Sequence, residues 1–219
     1  MKHHRQHQQQ NIKLFIPKKI TASFYCSFNE RQKLPSSNIP YIAFAGRTNC
    51  GKSSLLNSLT GNKKLARSSS TPGRTQLVNF FSINGKLFFV DLPGYGFSKA
   101  SLEVRNNISK TTNDFLLKCK DRLIIVFLLD IRVEPSEEDF QMKEWAKYHN
   151  VPLIFVFTKS DKLSSNKLIN RKKRLIEALS IADEEVVMYS SKTGRGKDEL
   201  LRKINQKISE FFTTDKPFP

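Results

Sequence analysis

Ala43-Phe44-Ala45-Gly46-Arg47-Thr48-Asn49-Cys50-Gly51-Lys52-Ser53-Ser54 runs from an apolar stretch through a G-x-x-x-x-G-K-S loop into the start of a helix. That spacing is the phosphate-binding loop pattern. Gly46 and Gly51 let the backbone wrap with its N–H groups inward, forming a nest for phosphate oxygens. Lys52 can reach the β- and γ-phosphates, and the Ser53 hydroxyl can ligate Mg²⁺. The helix that follows adds the positive end of its dipole. The context fits: Tyr41 to Ala45 has a buried-strand pattern, and Ser53, Leu55, Leu56 and Leu59 follow at helical spacing.

The 219 residues, 38% of them hydrophobic, suffice for one sizeable α/β domain with a tail or two. The longest purely apolar run, Leu123 to Leu129, is too short to span a bilayer and suits a central parallel strand. The N-terminus lacks the apolar core of a signal peptide. It is basic, with no acid before Glu30, and a plain disordered tail is preferred to a transit peptide because Ser and Arg are sparse. Cys26, Cys50 and Cys119 match neither a disulfide framework nor a CxxC site, so a reduced, cytosolic protein is the economical reading.

Charge is the informative total. Net charge is +17, and no Asp or Glu occurs from Arg31 through Val90, where nine Lys and Arg fall. One nucleotide needs only a few of these. The surplus suggests a polyanionic partner, most plausibly nucleic acid; a solvated, biased surface is the alternative.

Along the chain, Ile20 to Phe28 has Ala22, Phe24 and Cys26 at period two and reads as a strand. Ser27 to Leu34 then looks like a short capped helix. Gly61 to Gly73 is a polar loop. Gln76 to Ile83 and Lys86 to Val90 flank Asn84-Gly85, a strong hairpin signal. Their phenylalanines, Phe80, Phe81, Phe88 and Phe89, are expected in the core rather than as base-stacking platforms. Helices are expected at Leu102–Lys120, Ser136–Tyr148 (Ser136 as N-cap), Lys167–Leu179 and Lys197–Phe212, and strands at Leu123–Asp130, Leu153–Phe157 and Val186–Tyr189. Trp145 reads as a core anchor. Such alternation means a mostly parallel sheet covered on both faces.

A phosphate loop alone suits kinases, ATPases, helicases and GTPases alike. Further strand-end motifs discriminate. Asp91-Leu92-Pro93-Gly94 puts a carboxylate where it can hold Mg²⁺ through water, with the Gly94 N–H free to sense a γ-phosphate. In Thr158-Lys159-Ser160-Asp161, the Asp161 carboxylate can accept both N1–H and the exocyclic amine of guanine, a donor pair that adenine lacks. Backbone N–H groups of Ser190-Ser191-Lys192 could meet guanine O6. Each motif is weak alone; their order, each just after an expected strand, makes chance an unsatisfactory account.

The set Gly46–Ser53, Asp91–Gly94, Thr158–Asp161 and Ser190–Lys192 resembles the motifs of a GTPase G domain. With Thr71-Pro72-Gly73-Arg74-Thr75-Gln76 and Asp91 through Gly96, the chain resembles the EngB (YihA/YsxC) family of bacterial GTPases, in the TrmE-Era-EngA-EngB-septin-like class. The resemblance spans residues 18–212, leaving 1–17 as a disordered basic tail and 213–219 as a C-terminal tail. It implies an α/β, three-layer Ras-like P-loop G domain whose six-stranded, mostly parallel sheet has one antiparallel strand and helices on both faces. It further implies a cytoplasmic, monomeric protein with no membrane span. That protein hydrolyses GTP to GDP with Mg²⁺ and acts as a switch in large ribosomal subunit assembly. Its partners are that subunit and its RNA, with a link to cell division and septation.

Carried over by position, the resemblance makes Gly46, Arg47, Thr48, Asn49, Cys50, Gly51, Lys52 and Ser53 nucleotide contacts. Gly73, Arg74, Thr75, Gln76 and Leu77 follow in the loop that would close over the γ-phosphate, then Asp91, Leu92, Pro93 and Gly94. Thr158, Lys159, Ser160, Asp161, Ser190, Ser191 and Lys192 complete the base side. Ser53 and Thr75 match the Mg²⁺ ligands, with Thr71 a competing candidate, and Asp91 acts through water. Lys52, Thr75 and Gly94 are the catalytic candidates. Asn49 falls where related GTPases hold a monovalent cation, so K⁺ is a second candidate ion; loop capping is the alternative.

One departure carries mechanistic weight. Ras-type proteins orient the attacking water with a Gln after D-x-x-G. This chain has Tyr95, so slow intrinsic hydrolysis is expected, accelerated by a partner, a cation or the ribosome. A nucleotide-sensing module with little hydrolysis, acting at the division machinery, is the second reading, and a P-loop kinase or ATPase the third. Asn170-Arg171-Lys172-Lys173-Arg174 is equally compatible with RNA contact and with a solvated helix face.

Overall fold

A computed structural model describes residues 16–17, 19–28, 34–35, 39–66, 77–96 and 102–213; of residues 102, 104, 105 and 211–213 it describes the backbone alone. Seven strands form one sheet: β1 (Ala22–Phe28), β2 (Tyr41–Gly46), β3 (Val78–Ile83), β4 (Leu87–Asp91), β5 (Leu123–Asp130), β6 (Leu153–Thr158) and β7 (Val186–Met188). Their spatial order is β1-β3-β4-β2-β5-β6-β7. β3 pairs antiparallel with both β1 and β4, and every other pairing is parallel, so β3 alone runs against the rest. The helices are α1 (Lys52–Thr60), α2 (Leu102–Cys119), α3 (Glu137–Tyr148), α4 (Ser165–Leu179) and α5 (Lys197–Thr213).

The expected six-stranded sheet therefore has a seventh member. β1 lies on the outer edge of β3, paired from Ala22↔Ile83 to Phe28↔Val78, with an irregularity between Phe24 and Cys26. The short helix expected from Ser27 is corrected at its start. Ser27 and Phe28 are strand residues; Ser27 Oγ donates to Asn79 Oδ1 at 2.7 Å, and Phe28 is buried. Ladder pairing and burial of a phenyl ring outweigh the capping preference of Ser27. Residues 29–33, the rest of that reading, lie outside the described residues.

The sheet's two faces carry separate cores. Along β2, Tyr41, Ala43 and Ala45 join one cluster, together with Phe80, Phe88, Phe115, Phe127 and Phe155. Ile42 and Phe44 alternate to the other face, with Phe89, Leu128, Leu55 of α1 and Ile204 of α5. This period of two, with both faces apolar, is why β2 and β5 read as unbroken hydrophobic runs. All four hairpin phenylalanines are buried, as expected, and Trp145 packs against the first cluster. Asn84 and Gly85 both take positive φ (51° and 66°), the geometry of a tight hairpin, and Asn84 also binds Thr21 through its backbone N–H and Oδ1.

Ile16, placed in the tail from the sequence, is buried in the second cluster. Asn205 of α5 holds its backbone on both sides, accepting from Ile16 N at 3.0 Å and donating to Ile16 O at 3.2 Å. Among the described residues no helix is long and apolar enough to cross a membrane, and the three cysteines are free thiols.

Candidate functional site

The parallel strands β2, β5 and β6 end on the same side, and the loops that leave them meet there. Gly46 ends β2 opposite Leu128 of β5. A Cβ at Gly46 would stand 2.6 Å from the Leu128 carbonyl oxygen and 2.8 Å from Cys50 Sγ, so only glycine lets the loop turn this close to the neighbouring strand. Residues 47–51 then bring the chain to α1, whose first residue is Lys52. Inward backbone N–H groups above a helix N-terminus form an anion cradle. The Cys50 thiol plugs the loop from beneath; burial pushes its pKa up to about 11, so it acts as packing and not as a nucleophile.

Lys52 Nζ lies 2.5 Å from Asp91 Oδ1, which ends β4. Two residues distant in sequence are thus paired at the floor of the site. Leu92, Pro93 and Gly94 follow, all buried. The remaining strand-end motif is tied directly to the phosphate loop. Thr158 Oγ1 donates to the Cys50 carbonyl at 2.5 Å and lies 3.2 Å from that of Leu129. Lys159 Nζ donates to the Asn49 carbonyl at 2.6 Å. Lys159 itself, and Asn49, take left-handed backbone conformations (φ 58° and 64°).

Ser160 N–H donates to the Tyr189 carbonyl, joining this motif to the end of β7. Ser190 Oγ then donates to Asp161 Oδ1 at 2.7 Å. The Ser190 hydrogen bond and the nearby Lys162 and Lys192 outweigh desolvation and hold the Asp161 carboxyl below its usual range. Asp161 is exposed and anionic, facing an open crevice of about 600 Å³ lined by Gly51, Ser54, Thr158, Lys159, Ser191 and Lys192 among others. An exposed carboxylate beside a lysine stem suits a flat base with two adjacent donors.

Two carboxylates that the sequence reading left without a role complete the surroundings. Asp130, at the end of β5, pairs with Lys159 at 2.9 Å and receives a fork from Arg132 Nε (2.9 Å) and NH2 (2.7 Å). Burial raises its pKa, but the Arg132 and Lys159 hydrogen bonds prevail and bring it to about 2. Asp139, in the first turn of α3, accepts from Ser136 N and from the Tyr95 hydroxyl. Asp139 had one legible signal, its place three residues after the Ser136 cap; Asp130 had only its position at a strand end.

For Mg²⁺, the donors fit. Among the described residues no cluster of three His, Cys, Asp or Glu could hold a metal. Mg²⁺ keeps several waters and takes one or two protein oxygens plus phosphates. Ser53 in the first turn of α1, with Asp91 at the floor, is such a sparse set. Gly73, Arg74, Thr75 and Gln76, with Thr71, lie outside the described residues; Leu77 is exposed just before β3.

The basic run on α4 divides. Arg171 donates to the Ile131 carbonyl at 2.7 Å and pairs with Glu134, and Lys172 pairs with Asp183 at 2.7 Å. Lys173 is 78% exposed and only loosely near Glu177.

Comparison with known proteins bears on this site. A family model described as "50S ribosome-binding GTPase" matches residues 41–159. The chain is 41% identical over 191 residues to the probable GTP-binding protein EngB of Syntrophus aciditrophicus (strain SB), covering 87% of this chain and 97% of that one. It is 46% identical over 168 residues to the corresponding protein of Fusobacterium nucleatum, covering 77% and 86%. A crystal structure of a probable GTP-binding protein engB superposes with TM-score 0.66 at 25% identity, covering 78% of this chain and 99% of that one.

Proposed function

The chain belongs to the EngB family of GTP-binding proteins and is a GTPase, and we propose that it uses GTP hydrolysis as a switch in large ribosomal subunit assembly, with septation depending on that step. The observation that carries the nucleotide reading is the joining of three loops by Thr158–Cys50, Lys159–Asn49 and Ser190–Asp161. Those bonds make the phosphate cradle and the carboxylate that would read guanine one rigid unit. In this reading Gly46 to Ser53 hold the phosphates, with Leu92 and Pro93 supporting Gly94. Lys52 exchanges its bond to Asp91 for the β- and γ-phosphates. Mg²⁺ would be held by Ser53 and Thr75, with Asp91 through water, and supplies charge neutralisation at the transferring phosphoryl group. Gly73 to Leu77 belong to the loop that closes over it.

The ribosomal part of the reading is supported by the net charge of +17 and by the description of the matching family. Cosedimentation with large ribosomal subunits tests it, in the GTP, GDP and nucleotide-free states at two salt concentrations. Association should be strongest with GTP and weaken steeply with salt; equal pelleting in all three states would overturn the switch.

A specific observation also favours the second reading, a sensor that barely hydrolyses and acts at the division machinery. Tyr95 takes the place of the water-orienting Gln and sends its hydroxyl to Asp139. Single-turnover hydrolysis with and without large subunits separates the two: stimulation supports the switch, and negligible turnover in both supports the sensor. K⁺ at Asn49 is tested by exchanging Na⁺ for K⁺ in the same assay.

A further inference from the structure

Tyr95 follows the Asp91–Gly94 motif, and its side chain turns into the groove between α2 and α3, beside Met142 and Trp145. The hydroxyl donates to Asp139 Oδ1 at 2.5 Å. Burial and the Asp139 carboxylate both push the phenol's pKa up, so the hydroxyl remains a donor throughout the working pH range. Asp139 is only 4% exposed, and its second oxygen accepts from Ser136 N at 2.8 Å and Ser136 Oγ at 3.1 Å. One buried carboxylate therefore serves the cap of α3 with one oxygen and Tyr95 with the other.

The backbone of the same tyrosine carries the phosphate loop. Its carbonyl accepts from Thr48 N and from Thr48 Oγ1, each at 2.9 Å, and Arg47 bridges to Tyr95 in parallel-strand fashion. Gly94 is pressed against the same loop. A Cβ there would stand 3.1 Å from Thr48 Oγ1 and 3.2 Å from both Thr48 Cα and N, so any side chain at this position would push the phosphate loop back by a few tenths of an ångström. The height of the Gly94 N–H above the phosphate cradle is thus set by where Tyr95 is held.

From these contacts we infer that Asp139 is a positioning residue for discrimination of GTP from GDP: by fixing the Tyr95 hydroxyl it holds the Gly94 N–H where a γ-phosphate is read. The inference rests on the GTPase reading above. Asp139 itself touches no nucleotide in that reading. GDP is met by Gly46 to Ser53, by Thr158 to Asp161 and by Ser190 to Lys192; Tyr95 reaches the first of these through its carbonyl on Thr48, while its hydroxyl goes to Asp139. Only the γ-phosphate depends on Gly94, so the pair's loss falls unequally on the two nucleotides. A pair that merely fastened α3 to the sheet would affect both alike.

The test measures Kd for GDP and for a non-hydrolysable GTP analogue, with Tm, on the full chain. The variants are Tyr95→Phe, Asp139→Asn and the double substitution. Tyr95→Phe keeps the ring and removes only the hydroxyl, so it reports even where Asp139→Asn disturbs the α3 cap. Loss of this charge-assisted bond should weaken the GTP analogue about tenfold and leave GDP within about twofold. The double variant should bind the analogue no worse than Tyr95→Phe alone, because Tyr95→Phe already removes the whole shared bond, whereas the amide of Asp139→Asn can still pair with the tyrosine hydroxyl. Parallel losses for the two nucleotides, or a lower Tm with an unchanged affinity ratio, would overturn the inference. Failure of the unsubstituted chain to bind either nucleotide would overturn the GTPase reading, and this inference with it.

Discussion

Single atoms at the strand ends make the sharpest demands. Thr158 stands where its hydroxyl can reach the Cys50 carbonyl. Thr158→Val keeps the shape and strands that buried acceptor, so it should cost about 1–3 kcal/mol in denaturant unfolding and weaken both nucleotides together. The equal loss distinguishes it from Tyr95→Phe. Asp130 makes a pH prediction. Its folded pKa is held down to about 2, from an ordinary 3.8, by Arg132 and Lys159 against the opposing effect of burial. Its contribution to stability is therefore full above the ordinary value and drains away as pH falls toward the folded one. Arg132→Ala raises the folded pKa, so acid unfolding followed by circular dichroism should begin at a higher pH. An unshifted midpoint would mean that Lys159 alone holds the charge. Sequence spacing pointed to Lys52, Asp91 and Asp161 because their roles attach to motifs of fixed length. Asp130 and Asp139 act across 29 and 44 positions of sequence, on Lys159 and Tyr95, and no local pattern marks such pairs.

At the scale of elements, β1 and α5 show how far pairing overrides local preference. Phe28 packs against Phe115 of α2 with the rings tilted at 58° and their centroids 6.4 Å apart, and is 1% exposed. Phe28→Ala should cost about 3–5 kcal/mol by chemical denaturation. A solvated helix position at residue 28 would instead show within about 0.5 kcal/mol. Asn205 of α5 holds the backbone of Ile16, 189 positions away. Asn205→Ala should speed proteolytic cleavage near residues 16–20 without altering nucleotide affinity, read by timed digestion and mass spectrometry. Elements with strong internal periodicity, such as β5 and α5, were legible to within a residue or two. β1 was legible as a strand to within two residues; that its partner is β3 was not, because β3 lies fifty or more positions away, and the capping signal of Ser27 is one that pairing outweighs.

At the scale of the whole molecule, the excess positive charge predicts steep salt dependence of any polyanion contact. The basic run on α4 will not behave as one patch. Arg171 spans to the loop after β5 and should lower Tm when replaced by Ala, because its bonds to Ile131 and Glu134 are part of the fold. Lys173→Ala should leave Tm unchanged. If α4 meets ribosomal RNA, it should reduce the slope of log K against log salt by about one. A slope that is the same with Lys173→Ala moves the RNA contact to another face.

The amino-acid sequence by itself determined the phosphate loop, the order of the strand-end motifs and the two-faced burial of the sheet. Each of these depends on residues that are near neighbours in the chain, at periods of two or within loops of fixed length. Only the tertiary structure decided that the Gly46–Ser53 loop and the Thr158–Asp161 motif are tied together by Thr158 and Lys159. It alone turned Tyr95 away from the place of a water-orienting side chain and onto Asp139. It also placed the strand before the loop, which the sequence already showed as a strand, antiparallel on the outer edge of β3. Hydrogen bonds between distant residues depend on distances that exist only once the sheet has assembled, and linear spacing does not encode them.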